Sequence, residues 1–519
     1  MKKSSKLALF LAGIAPLPSR HTSITYPCSL KTEQKLNSQS PTLYLRIKNK
    51  CLLFVIISST LSIFPFQNAL ATTAFSRQTG EPCTACHMQS YGPWLTQYGQ
   101  KFKLDGYVAG HANKLPDVIN PFALEVVGSL TNTQGSVPAG QYYDNKGGQS
   151  KPNNNAVNDW DALYYTGRVT DKIGSYLQLN VNPQVGRSVS LAMADIRIAG
   201  HAKIKGLDIT YGLTVNNSPT MSDFWMTTYA WMYPYTTSPV TVKPAAQPYL
   251  QSLMAGANTA GSTAYMMINN HLYLEAGAYT SQPQNMAQGL GVWNGGSQST
   301  GPQSGLIDGG APYWRMFLQH NTSRQMMMIG TYGFAAKVFP FYQSGSGRDT
   351  YVEYNVDANY SYRLNDDNML MAMARYARDN MKMNASQALG FASNSRNHLN
   401  SLMMMGMWTY RHTYNLAMGW NHMSGSADTI VYNGGPNFSG ISPITGSANG
   451  SPNTNSFLFE ADYIPFGKGT SRTDPYLNLR LSIQYWVYTQ FNGRHSNYDG
   501  AGRNSEANNT LYFVGSVMF

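Results

Sequence analysis

Beyond residue 120, apolar and polar side chains alternate with a period of two over most of this chain. In 351–362, Val352, Tyr354, Val356, Ala358, Tyr360 and Tyr362 share one face, and Glu353, Asn355, Asp357, Asn359 and Ser361 the other. Leu207 to Val215, Phe457 to Tyr463 and Leu477 to Val487 alternate in the same way. Such segments are strands with one apolar and one polar face. The pattern predicts strands near 122–132, 160–170, 174–184, 190–200, 207–216, 262–269, 271–281, 313–320, 325–335, 350–362, 368–377, 400–410, 414–423, 456–465, 475–489 and 509–519. The count is about sixteen, even as bacterial barrels require.

The links between strands alternate as well. Tight links such as Asp171-Lys172, Asn269-Asn270, 321–324, 364–367 and 411–413 follow even-numbered strands. Long links rich in Gly, Ser, Asn and Pro follow most odd-numbered ones: 133–159, 217–261, 282–312, 336–349, 378–399, 424–455 and 490–508, with 185–189 a short exception. Short turns on one side and long loops on the other are the layout of a transmembrane β-barrel, and a soluble sandwich has no reason to keep that parity. Closure leaves no unpaired backbone in lipid. Leu511, Phe513, Val517 and the terminal Phe519 share one face of the last strand, a common ending for outer-membrane barrels. With an even strand count both barrel termini lie on the periplasmic side.

The first 71 residues read as a leader. Arg46, Lys48 and Lys50 precede an apolar run from Cys51 to Phe66, and Ala69-Leu70-Ala71 supplies a small-x-small site with cleavage expected after Ala71. Residues 1–45 carry a weaker run of the same kind. Without the leader's nine Lys/Arg and single acid, 28 bases and 25 acids remain, and the net charge falls from +11 to +3. A nucleic-acid-binding reading falls with it. Cys28 and Cys51 also leave, so the remaining cysteines are Cys83 and Cys86.

Those two cysteines belong to Cys83-Thr84-Ala85-Cys86-His87. C-x-x-C-H is the attachment pattern of a c-type haem: two thiols add across the vinyl groups, and the next histidine ligates the iron. A structural zinc site needs more Cys or His at metal-ligand spacing, and no second C-x-x-C exists. The expectation is one covalent haem c on Cys83 and Cys86 with His87 as proximal ligand. Met88 is too close in sequence to reach the opposite face. The distal candidates are His111 within the segment and a lumenal methionine, Met371 or Met405. Arg77, Lys101 and Lys103 are candidates for propionate contacts, and Phe75, Trp94, Phe102 and Tyr107 for packing on the ring, each against the alternative of ordinary surface bases and small-domain core.

Methionine suggests what fills the barrel. Met369, Met371 and Met373 share a face with Arg375, which would cost roughly 2–4 kcal/mol facing lipid near the midplane, so that face should point inward. Met403, Met405, Met407 and Thr409 share a face of the next strand, opposite Leu402, Trp408 and Tyr410. An adaptable apolar lining suits a packed filling better than a wet pore. The expectation is that the haem segment inserts and presses on it.

The segment resembles a family. Phe75-Ser76-Arg77-Gln78-Thr79-Gly80, the Cys83–His87 motif and Tyr98-Gly99-Gln100-Lys101-Phe102-Lys103-Leu104-Asp105-Gly106-Tyr107 are similar to the fused outer-membrane cytochrome–porins of iron-oxidising bacteria. Tyr98 and Gln100 depart from that family's F-G-R-x-F-K-L-x-G-Y tail, the second with loss of a charge. The resemblance implies an iron oxidase: extracellular Fe(II) gives one electron through the haem to a periplasmic carrier, a cytochrome or a blue copper protein. The organisation expected is a leader (1–71), a small, mostly helical monohaem cytochrome segment (72–117) and an all-β, porin-like outer-membrane barrel (118–519) embedded in lipid. Two alternatives stay open, the same architecture with another donor or acceptor, and a solute porin with a structural or sensory haem.

Overall fold

The computed structural model describes residues 73–110, 121–137, 152–182, 188–228, 236–250, 259–291, 305–340, 345, 347–433, 446–471, 473–474 and 476–519. The leader, its cleavage point, the 117/118 boundary and His111 lie outside them.

Sixteen staves form one antiparallel sheet closed on itself. They are β1 (Phe122–Thr133), β2 (Asn155–Arg168), β3 (Ile173–Asn182), β4 (Ser188–Ile204), β5 (Leu207–Asn216), β6 (Thr259–Ile268), β7 (Leu272–Ser281), β8 (Gly305–Ile307 continued by Ala311–Asn321), β9 (Gln325–Pro340), β10 (Asp349–Arg363), β11 (Asn368–Lys382), β12 (Arg396–Tyr410), β13 (Tyr414–Gly425), β14 (Thr454–Tyr463), β15 (Asn478–Gln490) and β16 (Thr510–Met518). Both pieces of β8 pair with β9, through Ile307–Val338 and Asn321–Met326, so they are one stave interrupted at 308–310. Each stave pairs with the next, and β16 returns to β1 from Glu125–Met518 to Thr133–Thr510. Every predicted strand has its counterpart. The main differences are at the long-loop ends, where β9 runs to Pro340 and β11 to Lys382.

The apolar face is the outer one. On β10, Val352, Tyr354, Val356 and Tyr360 are exposed, while Glu353, Asn355, Asp357, Asn359 and Ser361 are buried. Leu213, Leu318, Ile329, Leu416, Phe459 and Ile483 continue the outer band, and Arg197, Arg315, Arg375, Glu460 and Arg480 sit inside. Charge inside and hydrocarbon outside is the inverse of a soluble protein and the arrangement a membrane-spanning barrel requires. At the short-turn end Trp408, Tyr410, Tyr414 and Tyr463 succeed one another with ring centroids 6.0, 6.5 and 5.3 Å apart, forming part of an aromatic girdle.

Two pieces of chain fill the described lumen. Residues 73–110 enter from the short-turn mouth. Met88, Trp94, Leu95 and Leu104 pack with Met371, Met373, Met403, Met405 and Met407, whose inward orientation matches the expectation. The second piece is unexpected. The stretch 217–261 reads as an outer loop, yet its described parts, 217–228 and 236–250, are largely buried among inward-facing side chains. Thr227 Oγ1 donates to Asp357 at 2.6 Å, Arg375 Nη1 donates to the Thr227 carbonyl at 2.8 Å, and the Tyr249 amide donates to Asp379 at 2.8 Å. Polar wall groups that lipid could not satisfy are satisfied by the backbone and hydroxyls of this loop.

Replacing Val356 by Arg tests the outer face. The expected loss is about 2–4 kcal/mol in refolding into lipid vesicles. An unchanged midpoint would mean that this face does not meet hydrocarbon.

Candidate functional site

Five residues, Cys83 to His87, make a single helical turn. Pro82 starts it with φ −67°, and the His87 amide closes it on the Cys83 carbonyl at 2.9 Å. The chain then doubles back. His87 pairs with Leu95, the Met88 amide bonds the Trp94 carbonyl, and the Thr96 amide bonds the Cys86 carbonyl, both at 2.9 Å. Thr96 next caps the helix Gln97–Leu104, its hydroxyl accepting the Gly99 amide at 3.2 Å. Gly99 is required by a close approach, since a Cβ there would stand 2.2 Å from the Cys86 carbonyl oxygen.

This folded-back segment walls an apolar cavity. Cys83, Cys86 and His87 all line it, with Phe75, Leu95, Phe102, Lys103 and Tyr107 from the segment and Tyr164, Tyr176 and Asn478 from the barrel. Phe75 stacks on Tyr107 at 5.5 Å and meets the Phe102 edge at 5.1 Å, giving one aromatic wall.

The electrostatics separate the chemistries open to a Cys-x-x-Cys-His set. Burial pushes the Cys83 thiol up to about 11, helped by Asp474, and the Cys86 thiol up to about 12, helped by Cys83 and Glu81. A redox-active dithiol needs a depressed pKa, so these thiols are poorly suited to exchange chemistry. Among the described residues no three His, Cys, Asp or Glu side chains gather as a metal site, so the trio surrounds a space and does not converge on a point. Burial lowers the His87 imidazole to about 4, opposed by the Gly92 backbone beside it. Nδ1 is buried without a full hydrogen bond, leaving the ring neutral and the Gly92 carbonyl as the natural acceptor that would fix its tautomer. Two sulfurs, a neutral imidazole and an aromatic wall around one cavity fit a flat macrocycle anchored at one edge.

Lys103 contributes the buried cation of the cavity. Its Nζ donates to the Asp223 carbonyl at 3.0 Å, and burial, with Arg197 nearby, lowers its pKa to about 7.

The other predicted site residues are placed differently. Arg77 lies away from the cavity, with its guanidinium bonded to Thr73 Oγ1 at 2.8 Å and to the Phe122 carbonyl at 2.9 Å. Lys101 points outward and pairs with Asp105. Met371 and Met405 face the lumen but pack on Met88 and Trp94 without lining the cavity, and Trp94 belongs to that cluster too. The methionines that do line it are Met221 and Met226 of the infolded β5–β6 loop and Met518 of β16. Sequence reasoning missed all three, the first two because nothing in a Ser/Pro/Thr-rich stretch marks it as inward. A signal for Met518 was present but not used: it lies on the face opposite Phe513 and Val517.

No protein-family model and no curated protein matches this chain. Solved structures similar to it include OmpT, an outer membrane protein of Vibrio cholerae (8% identity, TM-score 0.37, covering 77% of this chain and 96% of that one). Others are the outer membrane channel DcaP of Acinetobacter baumannii (11%, 0.41, 77% and 96%) and an anion-selective porin from Comamonas acidovorans (8%, 0.39, 76% and 98%). The likeness is distant, and the barrel rests on its own strand pairing.

Two outcomes follow. Gly99→Ala should force the helix off the Cys86 carbonyl and raise the alkylation rate of both thiols in unmodified protein several-fold; equal rates would refute the contact. Lys103, at about 7 in the fold against 10.5 ordinarily, binds fewer protons folded than unfolded between those values. Stability should therefore rise with pH from 7 to 10.5, its burial cost being complete and constant below 7. Lys103→Met should flatten that rise in thermal unfolding followed by tryptophan fluorescence.

Proposed function

We propose that this protein is an outer-membrane c-type cytochrome–porin that oxidises extracellular Fe(II) and delivers the electron to a periplasmic carrier, a cytochrome or a blue copper protein. The observation that carries the reading is the convergence of Cys83, Cys86 and His87 on one apolar cavity at the short-turn mouth of a barrel. A haem bound there supplies a one-electron store at the membrane's inner edge. Cys83 and Cys86 would hold it by thioethers, His87 would ligate the iron as a neutral base, and Lys103 would face a propionate charge. Phe75, Phe102 and Tyr107, which line the cavity, would keep water from the ring, and a drier site demands less reorganisation on electron transfer. Each turnover takes one electron from Fe(II), leaving Fe(III) outside the cell, and gives it to the carrier.

The filled lumen favours an electron path over the solute-porin alternative. The segment 73–110 and the loop stretches 217–228 and 236–250 occupy space that a diffusing solute would need. The resemblance of 75–107 to cytochrome–porins of iron-oxidising bacteria points to iron as the donor.

Purified haem-loaded protein mixed with Fe(II) should develop the reduced α-band at acidic or neutral pH, with little ion conductance in liposomes. The Cys83→Ala/Cys86→Ala variant should still assemble as a barrel but be colourless and inert toward Fe(II). Absence of reduction in the loaded protein would remove iron as donor, and large conductance would favour the porin.

A further inference from the structure

The infolded β5–β6 loop is built around a single carboxylate. Asp223 accepts the backbone amides of Trp225, Thr227 and Thr228 at 3.0, 2.8 and 2.9 Å, while Arg315 stands 3.6 Å from it. Arg315 and the amides outweigh burial and hold the Asp223 carboxyl below its usual range. The loop is tied to the barrel wall by Trp225 Nε1 on Gln319 at 2.9 Å and Thr227 on Asp357 at 2.6 Å. It is tied to the N-terminal segment by Lys103 on the Asp223 carbonyl at 3.0 Å. Arg197 Nη2 holds the Met221 carbonyl at 2.7 Å. Between these ties stand Met221 and Met226, both buried and both lining the cavity that His87 also lines. Met226 adopts a left-handed φ of 58°, a conformation costly for a long side chain and maintained only where its surroundings dictate it.

We infer that this loop walls the haem cavity and would supply the second protein ligand of a bound haem iron as a thioether, from Met221 or Met226, with His87 as the first. The inference rests on the haem reading above. A thioether suits the place: it is an uncharged, soft donor on an apolar wall, and it stays a ligand in acid where a second imidazole would be protonated. His/Met ligation also raises the reduction potential relative to two imidazoles. The loop then sets the potential as well as filling the lumen.

The test uses full-length, haem-loaded protein in detergent. The oxidised parent should show the near-red methionine-to-iron charge-transfer band, and the reduced parent should bind CO slowly. Leucine preserves side-chain volume. Met221→Leu or Met226→Leu should abolish the band, speed CO binding and shift the one-electron equilibrium at least tenfold toward the oxidised form, about 59 mV. Met518→Leu, Met371→Leu and Met405→Leu should leave all three unchanged. A bis-imidazole spectrum in the parent, or loss of the band on substituting Met518, Met371 or Met405 alone, overturns the inference without any loop variant having to fold. A coloured protein with no such band defeats this ligand assignment alone, whereas a colourless protein defeats the haem reading itself.

Discussion

Nine residue pairs between β1 and β16, Glu125–Met518 to Thr133–Thr510, close this sheet, and the rest of the molecule follows from that closure. In hydrocarbon an unpaired amide or carbonyl costs several kcal/mol, so a strand edge cannot face lipid. Closing the sheet removes the edges but creates an inside. The alternation that gives lipid a face of Leu213, Val356 and Phe459 then drives Arg197, Glu353, Arg375 and Asp379 into the lumen.

Buried charges need partners, and here much of the partnering comes from chain folded inward. Arg315 binds Asp357 at 2.8 Å on the wall and lies close to Asp223 of the infolded loop. Asp195 accepts the Tyr107 hydroxyl of the N-terminal segment at 2.7 Å. His412, in the short turn between β12 and β13, bonds the Met88 carbonyl at 2.7 Å, and Asn478 bonds the Ser90 carbonyl at 2.6 Å. The cavity bearing Cys83, Cys86 and His87 is what remains where segment, loop and wall meet. Its chemistry is thus set jointly by three parts of the chain that are remote in sequence.

The barrel was legible because period two is a local signal repeated sixteen times, and because Arg375 fixes which face of β11 turns inward. The Cys83–His87 turn was legible because five adjacent residues carry the whole motif. What escaped depends on distant partners. The inward course of the β5–β6 loop is dictated by Arg315, Asp357 and Asp379, each on a different strand, and the loop itself has no periodicity to report it. The same gap moved Arg77 from cavity to wall, since only the fold brings the Phe122 carbonyl within its reach. Met371 and Met405 were read correctly as lumenal, but depth along the barrel axis is invisible to alternation, and they lie against Met88 instead of the cavity.

The link after β14 breaks the rule of short turns, and it is the one that clasps the cysteine turn. The Thr84 amide bonds the Gly467 carbonyl at 3.2 Å, and a Cβ at Gly467 would stand 3.2 Å from Cys83 Sγ. Asn478 of β15 and Met518 of β16 line the same cavity as the two cysteines, which stay only half-buried. The one long link on the short-turn side therefore anchors the motif by its backbone without sealing its sulfurs off, so the position of the turn depends on a segment nearly 400 residues further along the chain.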